Sequence, residues 1–302
     1  MPAADILEID GHRLKLSNLT KPLFPGDGTT KHQVIEHYVA VADVMLPQLA
    51  HRPTTRKRWP DGTAKQPFFE KNVPRGTPSW VRTVTLDSPG STRNREQVTY
   101  PLLDNLAGLV WLANLAALEL HTPQWSVGPR AGVRDPDRLV IDLDPGAPAG
   151  LAECAEVATL VRERLAADGL ATSPVTSGSK GLQLYAPISG KQDADVVRHY
   201  AHEVAKQLER EHPRLVVSRM AKNLRGGKVF IDWSQNDDAK TTITPYSLRG
   251  REHPWVAAPR TWDELEDAGG LTQLLAGELP GRLADLGDVA PAVGAPGPRL
   301  PT

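Results

Sequence analysis

The chain has 302 residues, of which 40% are hydrophobic and 24% charged, and its formal net charge is −1. One cysteine, Cys154, excludes an internal disulfide framework, and no apolar run approaches the roughly 18 residues that a membrane span needs. The first residues lack a basic segment followed by an apolar one, so we expect no signal peptide and a cytoplasmic protein. The length fits one large α/β domain or two compact lobes.

In the first half of the chain, alternating apolar residues and turn signals predict short strands at residues 10–18, 67–71, 81–86 and 97–102. Residues 31–50 have helical spacing, with Thr29 or Thr30 as the expected N-terminal cap. The run 105–121 is apolar on nearly every side and predicts one buried helix that ends at His121. The charged, turn-rich segment 87–96 predicts a mobile loop.

In the second half, strands are predicted at 137–144, at both ends of 172–188 and at 228–234, and helices at 152–169, 193–211 and from 261 onward. Hairpins are mixed with helices in this pattern, and regular strand–helix alternation is absent. The pattern therefore favours an α+β fold of mixed or antiparallel sheets flanked by helices. The stretch 290–302 is rich in Ala, Pro and Gly and predicts a flexible tail or a linker.

Asp142, Asp144 and Asp232 each lie in an apolar strand pattern, in LVIDLDPG and VFIDWS. Side chains two apart on a strand share a face, so Asp142 and Asp144 point the same way. Charged groups in such places are rare unless they are paired or bind a metal, and three carboxylates can hold divalent cations for phosphoryl transfer. Each Asp could instead end a strand or cap a turn, since Asp-Pro-Gly is common turn chemistry.

The segment TSGSKGLQ, residues 176–183, joins two predicted strands through a glycine-rich turn. Its glycines let the backbone approach a ligand, and Ser177 and Lys180 offer hydrogen-bond donors, which suits a phosphate cradle. A plain hairpin turn with one lysine would have the same composition, and the Walker A pattern does not occur here.

His121, Phe68 and Phe69 each allow a structural explanation as well as a functional one. A histidine at a helix end, where His121 is expected, more often interacts with the helix dipole than with a substrate. Phe68 and Phe69 would normally be core residues. Beside the basic run 51–59 they could instead offer a stacking face for a base.

Basic residues also lie around one turn and along the segment 219–251. Lys21 and Lys31 flank a Pro/Gly turn and could grip a phosphate or be surface lysines. Arg249 and Arg251 follow a strand pattern, where arginines clamp a triphosphate or face solvent. The segment 219–251 holds seven Lys or Arg against three Asp. These clusters fit a phosphate-binding face, although a solvated mixed surface has the same composition.

The chain resembles the polymerase domain of the bacterial end-joining DNA ligase D, a member of the archaeo-eukaryotic primase superfamily that also includes stand-alone primase-polymerases. The resemblance rests on blocks in the same order over about residues 16–266: LSNLTKPLFPGDGTTK, RPTTRKRWPDG, PFFEK, AALELHTPQW, LVIDLDPG, PVTSGSKGLQLYAPI, LRGGKVFIDWSQN, KTTITPYSLRGR and HPWVAAPRTWDEL. Because many short blocks agree, the match is specific. It implies a primase-like catalytic core over residues 1–289, with about 1–130 facing DNA and 131–260 holding metal and nucleotide.

The resemblance implies a role for each matching position. Asp142, Asp144 and Asp232 would be the catalytic triad that binds Mn²⁺ or Mg²⁺ in a two-metal site. The incoming nucleoside triphosphate would lie against His121, Ser177, Lys180, Gln183, Arg225, Gln235 and Arg249. The DNA would contact Asn18, Lys21, Lys31, Phe68, Phe69 and Lys71. Of these, the first three would bind a 5′-phosphate, and the two phenylalanines would stack on a base.

The implied function is a template-directed DNA-dependent nucleotidyltransferase that favours ribonucleotides and fills short gaps or breaks in DNA repair. The implied partners are gapped or broken DNA with a 5′-phosphate, nucleoside triphosphates, a DNA ligase and the Ku end-binding protein. We expect a monomer, associated with the bacterial nucleoid. Two other functions stay open: a non-catalytic DNA-end or gap-binding module, and a metal-dependent nuclease that uses the same acids on water. The basic residues expected around the nucleotide favour the polymerase over the nuclease.

Two features depart from the family pattern. The family motif SGSKGLH ends in a histidine that contacts the triphosphate, and this position is Gln183 here, which can donate a hydrogen bond but carries no charge. We therefore expect weaker nucleotide binding or a greater dependence on Lys180 and Arg249. The loop 87–96 is longer than is usual in ligase-linked members, so substrate handling is expected to differ. No ligase or nuclease segment lies within these 302 residues, so we expect a stand-alone polymerase.

Overall fold

The structure, a computed structural model, describes residues 5–88, 96–267, 269–294 and 296–301. Its strands are β1 (Asp5–Ile9), β2 (His12–Leu16), β3 (Pro22–Phe24), β4 (Thr29–Thr30), β5 (Thr55–Arg58), β6 (Phe68–Glu70), β7 (Thr83–Asp87), β8 (Gln97–Pro101), β9 (Ala117–Thr122), β10 (Arg138–Pro145), β11 (Ser173–Thr176), β12 (Leu182–Pro187), β13 (Val216–Val217), β14 (Val229–Asp232), β15 (Thr242–Ile243), β16 (Trp255–Val256), β17 (Ala258–Pro259) and β18 (Leu274–Leu275). Its helices are α1 (Lys31–Ala40), α2 (Ala42–Leu49), α3 (Leu106–Asn114), α4 (Leu151–Ala166), α5 (Ala194–Glu211), α6 (Trp262–Glu266) and α7 (Leu279–Leu286). Helices with mainly antiparallel sheets confirm the predicted α+β class.

A six-stranded sheet, in the order β13-β14-β10-β12-β11-β17, carries the three acidic strand positions. Its neighbouring strands are antiparallel except β13 and β14, which are parallel. One face packs Leu139, Ile141 and Leu143 against α4 and α5 in a closed hydrophobic core. Because side chains alternate along a strand, Asp142 and Asp144 project from the opposite face.

A four-stranded sheet, in the order β15-β9-β5-β6, is covered by α1, α2 and α3. Leu118 and Leu120 of β9 pack into this second core. β15 pairs with β9 through Ile243 and His121, and Ile243 O accepts a 3.2 Å hydrogen bond from Tyr185 Oη on β12. This contact joins the two sheets and brings the His121 end of one close to the acidic face of the other.

The prediction of one helix over 105–121 is wrong in its second half. Helix α3 ends at Asn114, Ala116 adopts a positive φ of 58°, and β9 follows. The sequence ALELHT alternates, but residues 117–120 are all buried, so its apolar composition conceals the period of two. His121 consequently lies on a strand and not at a helix end.

The predicted helix over 31–50 is present but divided. Thr30 caps α1 by accepting a hydrogen bond from Gln33 N, while Gln33 Oε1 accepts one from Thr30 N, which is a capping box. Val41 leaves the helical conformation at φ −100° and ψ 4°, and α2 then begins at Ala42. The hydrophobic period alone did not reveal this break.

The described residues of 290–301 lie against the domain, which corrects the expectation of a flexible tail. Leu300 is 3% exposed, and its backbone N–H and C=O both bond the buried amide of Gln192. Gln48 Nε2 donates to Pro291 O at 2.8 Å. Composition indicated flexibility because it contains no information on the pocket that receives Leu300. Helix α7, before this segment, was also not predicted.

The strands that flank the predicted loop 87–96 pair as expected, with Asp87 opposite Gln97. Residues 89–95 of that loop lie outside the described residues. Among the helices that the structure describes, none combines the length and the apolar content needed to cross a bilayer.

Candidate active site

Three carboxylates converge on the open face of the six-stranded sheet. Asp142 and Asp144 lie on β10, and Asp232 ends β14, where the strand register places it directly opposite Asp142. One oxygen of each carboxylate lies within 4.8 Å of the other two. Opposed residues on antiparallel strands share a face, so this convergence follows from the register. The structure therefore brings the predicted triad together, and three carboxylates suit a hard divalent cation.

Asp232 is oriented by the residues that follow it in the chain. Its Oδ1 accepts hydrogen bonds from Ser234 N at 3.1 Å and from Ser234 Oγ at 2.6 Å, and its Oδ2 accepts one from Gln235 Nε2 at 2.8 Å. Hydrogen bonds of this kind hold metal-binding carboxylates in one orientation. Gln235 was predicted to lie near the nucleotide, and the structure shows its amide engaged with the acid.

The acids repel one another, and the repulsion appears in their pKa values. Burial, followed by the charges of Asp144 and Asp232, raises the pKa of Asp142 well above its ordinary value. Burial and the charge of Asp232 also raise the pKa of Asp144, while Arg225 and Arg249 oppose this rise. A cation among the three carboxylates would remove the repulsion. The unbalanced negative charge therefore indicates a cation site.

Gln183 forms part of the floor of this site. It lies on β12 opposite Asp142, it is 4% exposed, and its amide opposes the rise in the pKa of that acid. Its Oε1 accepts a 2.8 Å hydrogen bond from Tyr185 Oη, which is buried. The Gln183 amide is thus held from within the protein by Tyr185.

The turn between β11 and β12 depends on Ser177 and two glycines. Ser177 Oγ accepts hydrogen bonds from the backbone N–H groups of Ser179 at 3.3 Å and Gly181 at 3.2 Å. A Cβ at Gly181 would lie 2.0 Å from Leu143 O, and no side chain fits there. The close approach seats the turn on β10, with Lys180 exposed at its tip.

His121 and Arg249 surround a buried carboxylate, Glu119, that the sequence analysis did not single out. His121 Nε2 lies 2.9 Å from Glu119 Oε2, and Arg249 Nη1 and Lys57 Nζ lie 3.5 and 3.4 Å from the same oxygen. Burial lowers the pKa of His121, although the contact with Glu119 opposes this. Glu119 and His121 are two apart on β9 and therefore share a face.

Arg225 approaches the acids from the segment that precedes β14. Its guanidinium centre lies 3.6 Å from the ring centroid of Phe230, and its Nη2 donates to Met220 O at 2.7 Å. A Cβ at Gly146 would lie 2.1 Å from Arg225 O. The glycine of LVIDLDPG therefore lets the Arg225 segment close over the end of β10.

A cleft of about 390 Å³ lies among these elements, and its volume is within the range of small-molecule sites. Along with Asp142 and Asp144, its lining contains every residue predicted to bind the nucleotide: His121, Ser177, Lys180, Gln183, Arg225, Gln235 and Arg249. His121 belongs to the part of the chain that was expected to face DNA, so this lining is not confined to 131–260. The roles of these residues stay predictions.

A second pocket, of about 230 Å³, contains the three residues predicted to bind a 5′-phosphate, Asn18, Lys21 and Lys31. Lys31 Nζ donates to Ser17 O at 2.7 Å, and Lys21 Nζ lies 3.0 Å from the exposed carboxylate of Asp61. Burial, followed by the charges of Lys21 and Arg58, lowers the pKa of Lys31 to about 8. Excess positive charge in a small pocket indicates an anion site.

Arg58 is a further residue of this second pocket that the sequence analysis did not assign to it. Its Nε donates to Leu115 O at 2.7 Å, and its Nη1 donates to Glu70 Oε1 at 2.9 Å. Lys57, the preceding residue of β5, instead points to Glu119. Because side chains alternate along β5, Lys57 and Arg58 point in two different directions, one toward Glu119 and one into the second pocket. The order of basic residues in the sequence does not by itself show this.

Phe68 and Phe69 lie on the edge strand β6 and are 55% and 47% exposed. Neighbouring residues on a strand point to opposite faces, so the two rings do not form one stacking surface. Phe69 is opposite Lys57, and Phe68 is opposite Arg58. Each ring therefore shares a sheet face with a different site. Lys71, the other residue predicted to contact DNA, directly follows β6.

Comparisons with known proteins agree with this geometry. A family model described as LigD, primase-polymerase domain, matches residues 30–290. The Mycobacterium tuberculosis multifunctional non-homologous end joining DNA repair protein LigD is 48% identical over 291 residues, which are 95% of this chain and 38% of that protein. The Bacillus subtilis bifunctional non-homologous end joining protein LigD is 32% identical over 258 residues, which are 85% of this chain and 40% of that protein.

A solved structure is also similar. The polymerase domain from Mycobacterium tuberculosis ligase D, in complex with DNA, has a TM-score of 0.87 and 48% identity, over 92% of this chain and 96% of that chain. The chain spans about two fifths of the length of the full relatives that it matches. The resemblance predicted from the sequence is confirmed. The chain belongs to the LigD primase-polymerase domain family.

Proposed function

We propose that the protein is a template-directed nucleotidyltransferase that extends a DNA primer strand into short gaps or breaks in DNA. The observation that carries this proposal is the pairing of opposite charges in one cleft. Three mutually repelling acids face a set of cationic side chains, a combination that suits metal ions and a triphosphate together.

In the proposed reaction, a primer 3′-hydroxyl attacks the α-phosphate of a nucleoside triphosphate, a phosphodiester bond forms, and pyrophosphate leaves. Lys180, Arg249 and Arg225 bind the triphosphate oxygens, and Ser177 shapes the turn that presents Lys180. Asp142, Asp144 and Asp232 would hold Mn²⁺ or Mg²⁺, which neutralises the carboxylates and stabilises the charge that builds on the α-phosphate. Asp232 keeps its orientation through Ser234 and Gln235.

The second pocket supports the choice of gapped DNA as the substrate. Lys21, Lys31 and Arg58 place positive charge around a volume of about 230 Å³, which suits one terminal phosphate. Asn18 adds an amide at the same site. A 5′-phosphate held there would fix the distance from the downstream strand to the nucleotide cleft, because Arg58 lines this pocket and its neighbour Lys57 contacts Glu119. Glu119 in turn pairs with His121 and Arg249 of the cleft.

The finer properties belong to the same proposal. By similarity to the named relatives, we infer a role in end joining, with a DNA ligase and the Ku end-binding protein as partners and the bacterial nucleoid as location. We also infer a preference for ribonucleotides, a two-metal site and a monomer. The names of the relatives support the role in end joining. The other points rest on the resemblance of the sequence blocks to the family.

The test is extension on a one-nucleotide gap with each ribonucleotide and deoxyribonucleotide, with and without the downstream 5′-phosphate, in Mn²⁺ and in Mg²⁺. We expect templated addition of one nucleotide, faster on the phosphorylated gap. Cleavage of labelled DNA in Mn²⁺ without nucleotide would instead support a nuclease. Tight gap binding with no addition in either metal would support a non-catalytic binding module.

A further inference from the structure

Glu119 has an unusual position for a site that receives a polyanion. Its side chain is 2% exposed and lies against the residues that line the nucleotide cleft, where a negative charge would repel a triphosphate. It is not a member of the acidic triad, and it does not line the cleft itself. Its function must therefore come from the groups that it contacts.

Four donors from three parts of the chain converge on this carboxylate. His121 Nε2 on its own strand lies 2.9 Å from Oε2, and Lys57 Nζ from β5 lies 3.4 Å from the same atom. From the segment after β15, Arg249 Nη1 lies 3.5 Å from Oε2, and Gly250 N donates to Oε1 at 3.1 Å. A Cβ at Gly250 would lie 2.3 Å from the Trp59 ring, so only glycine allows this approach.

The carboxylate is ionised in the folded protein. Burial by itself would raise the pKa of Glu119, but the hydrogen bond from His121 and the charges of Arg249, His121 and Lys57 lower this pKa to about 2. An ionised carboxylate only accepts hydrogen bonds. His121 must therefore carry a proton on Nε2, which leaves Nδ1 as the ring nitrogen that can meet a ligand.

We propose that Glu119 is a positioning residue for the incoming nucleotide: it holds the His121 ring and the Arg249 guanidinium in the orientation in which they meet the triphosphate. This inference rests on the proposed function and concerns the same cleft. Because Lys57 and Arg249 together carry more charge than Glu119 removes, the wall keeps a net positive charge. The side chains are also ordered before the nucleotide arrives, so less entropy is lost on binding.

The main test replaces Glu119 by glutamine, which has nearly the same shape. Four donors surround the carboxylate, and an amide would turn its own NH₂ group toward at least one of them. We expect Glu119→Gln to raise the KM for the nucleotide about 10- to 100-fold, as does the loss of residues that orient metal ligands, and to change kcat less than about threefold. Direct titration of a fluorescent ribonucleoside triphosphate in Mn²⁺ should weaken by the same factor.

The matched control is Asp168→Asn, because Asp168 is a partly buried acid that, like Glu119, accepts hydrogen bonds from side chains of the same domain. It accepts hydrogen bonds from Arg164 Nη1 at 2.6 Å and Tyr200 Oη at 2.8 Å, and it does not line the cleft. This change should lower thermal stability and leave the KM unchanged. A KM rise of equal size in both variants, or no rise in Glu119→Gln, would overturn the inference.

A measurement on the unaltered protein keeps the inference testable if Glu119→Gln does not fold. The ¹⁵N spectrum of the His121 ring, assigned by comparison with His121→Gln, should show a proton on Nε2. A ring that is protonated on Nδ1 and not on Nε2 would overturn the inference. If the unaltered protein neither binds the nucleotide nor extends a primer, the proposed function fails. An active unaltered protein with an equally active Glu119→Gln variant refutes only the role of Glu119.

Discussion

The acids of the nucleotide cleft repel one another, and so do the cations of the second pocket. In the cleft, burial and mutual repulsion raise the pKa values of Asp142 and Asp144. In the second pocket, burial and the charges of Lys21 and Arg58 lower the pKa of Lys31 to about 8. In each cluster, burial and the neighbouring like charges disfavour the charged form of the side chains. A ligand of the opposite charge would therefore stabilise each cluster. The unmet charge indicates the class of ligand, a divalent cation in one case and a phosphate in the other.

The two sites also differ in how the fold builds them. The acids converge through strand register alone, because Asp142 is opposite Asp232 in an antiparallel pair. The cations of the second pocket come from a turn, the start of α1 and the end of β5, which only packing brings together. We expect substitutions in the cleft to affect chemistry, while those in the pocket should affect the choice of substrate.

Asp142→Asn should cause the largest effect. We expect primer extension to fall at least about 10³-fold, because a ligand for the catalytic cation is lost, while binding to gapped DNA persists. Removal of one repelling charge should raise the thermal stability of the metal-free protein, and the stabilisation by Mn²⁺ should weaken. Extension assays and thermal melts with and without Mn²⁺ measure both. Normal extension would exclude Asp142 from the site.

The double change Lys21→Gln and Lys31→Gln should have the next largest effect. Hydrogen bonds to charged groups contribute about 1.5–3 kcal/mol each, so the preference for a 5′-phosphorylated gap should fall by at least about 100-fold. Extension on the gap without the phosphate should be unchanged. The control is Lys206→Gln, which removes a half-exposed lysine of α5 that pairs with Glu203 and lies in neither site. An equal loss on both substrates would contradict a phosphate-specific role.

The changes Phe69→Ala and Phe68→Ala should each impair a different site. A stacked base contributes about 1–3 kcal/mol, so each change should cost roughly 30-fold where its ring is used. Phe69 shares a face with Lys57, and we expect its loss to raise the KM for the nucleotide. Phe68 shares a face with Arg58, and its loss should weaken binding of the downstream strand. Identical effects of the two changes would contradict this division.

The pH dependence of the 5′-phosphate preference should give the smallest effect. Lys31 loses its proton near pH 8 in the free protein, and a bound phosphate favours the charged form. Affinity for the phosphorylated gap should therefore fall about tenfold per pH unit above pH 8. Because the folded protein binds this proton less tightly than the unfolded chain does, Lys31 itself makes folding more favourable as the pH rises between about 8 and 10.5. In Lys31→Gln the affinity should be independent of pH over this range.

Much of the nucleotide cleft could be predicted because its chemistry is local in the sequence. Acids inside apolar strand patterns, a Gly/Ser turn with a lysine, His121 and Arg249 can be recognised in the sequence, and the resemblance added Gln183, Arg225 and Gln235. Glu119 was hidden because its pattern, ALELHT, was assigned to a helix. A period of two inside a fully buried strand cannot be distinguished by hydropathy from a continuation of α3.

The sequence by itself determined the α+β class, about half of the strands, the acidic residues and the family, because these depend on short-range periodicity and on blocks of residues. Tertiary structure alone decided that Asp232 meets Asp142, that Lys57 and Arg58 serve different sites, and that Leu300 is buried against the domain. Register, strand alternation and docking are relations between distant segments. Their energies come from packing that no single stretch of sequence contains.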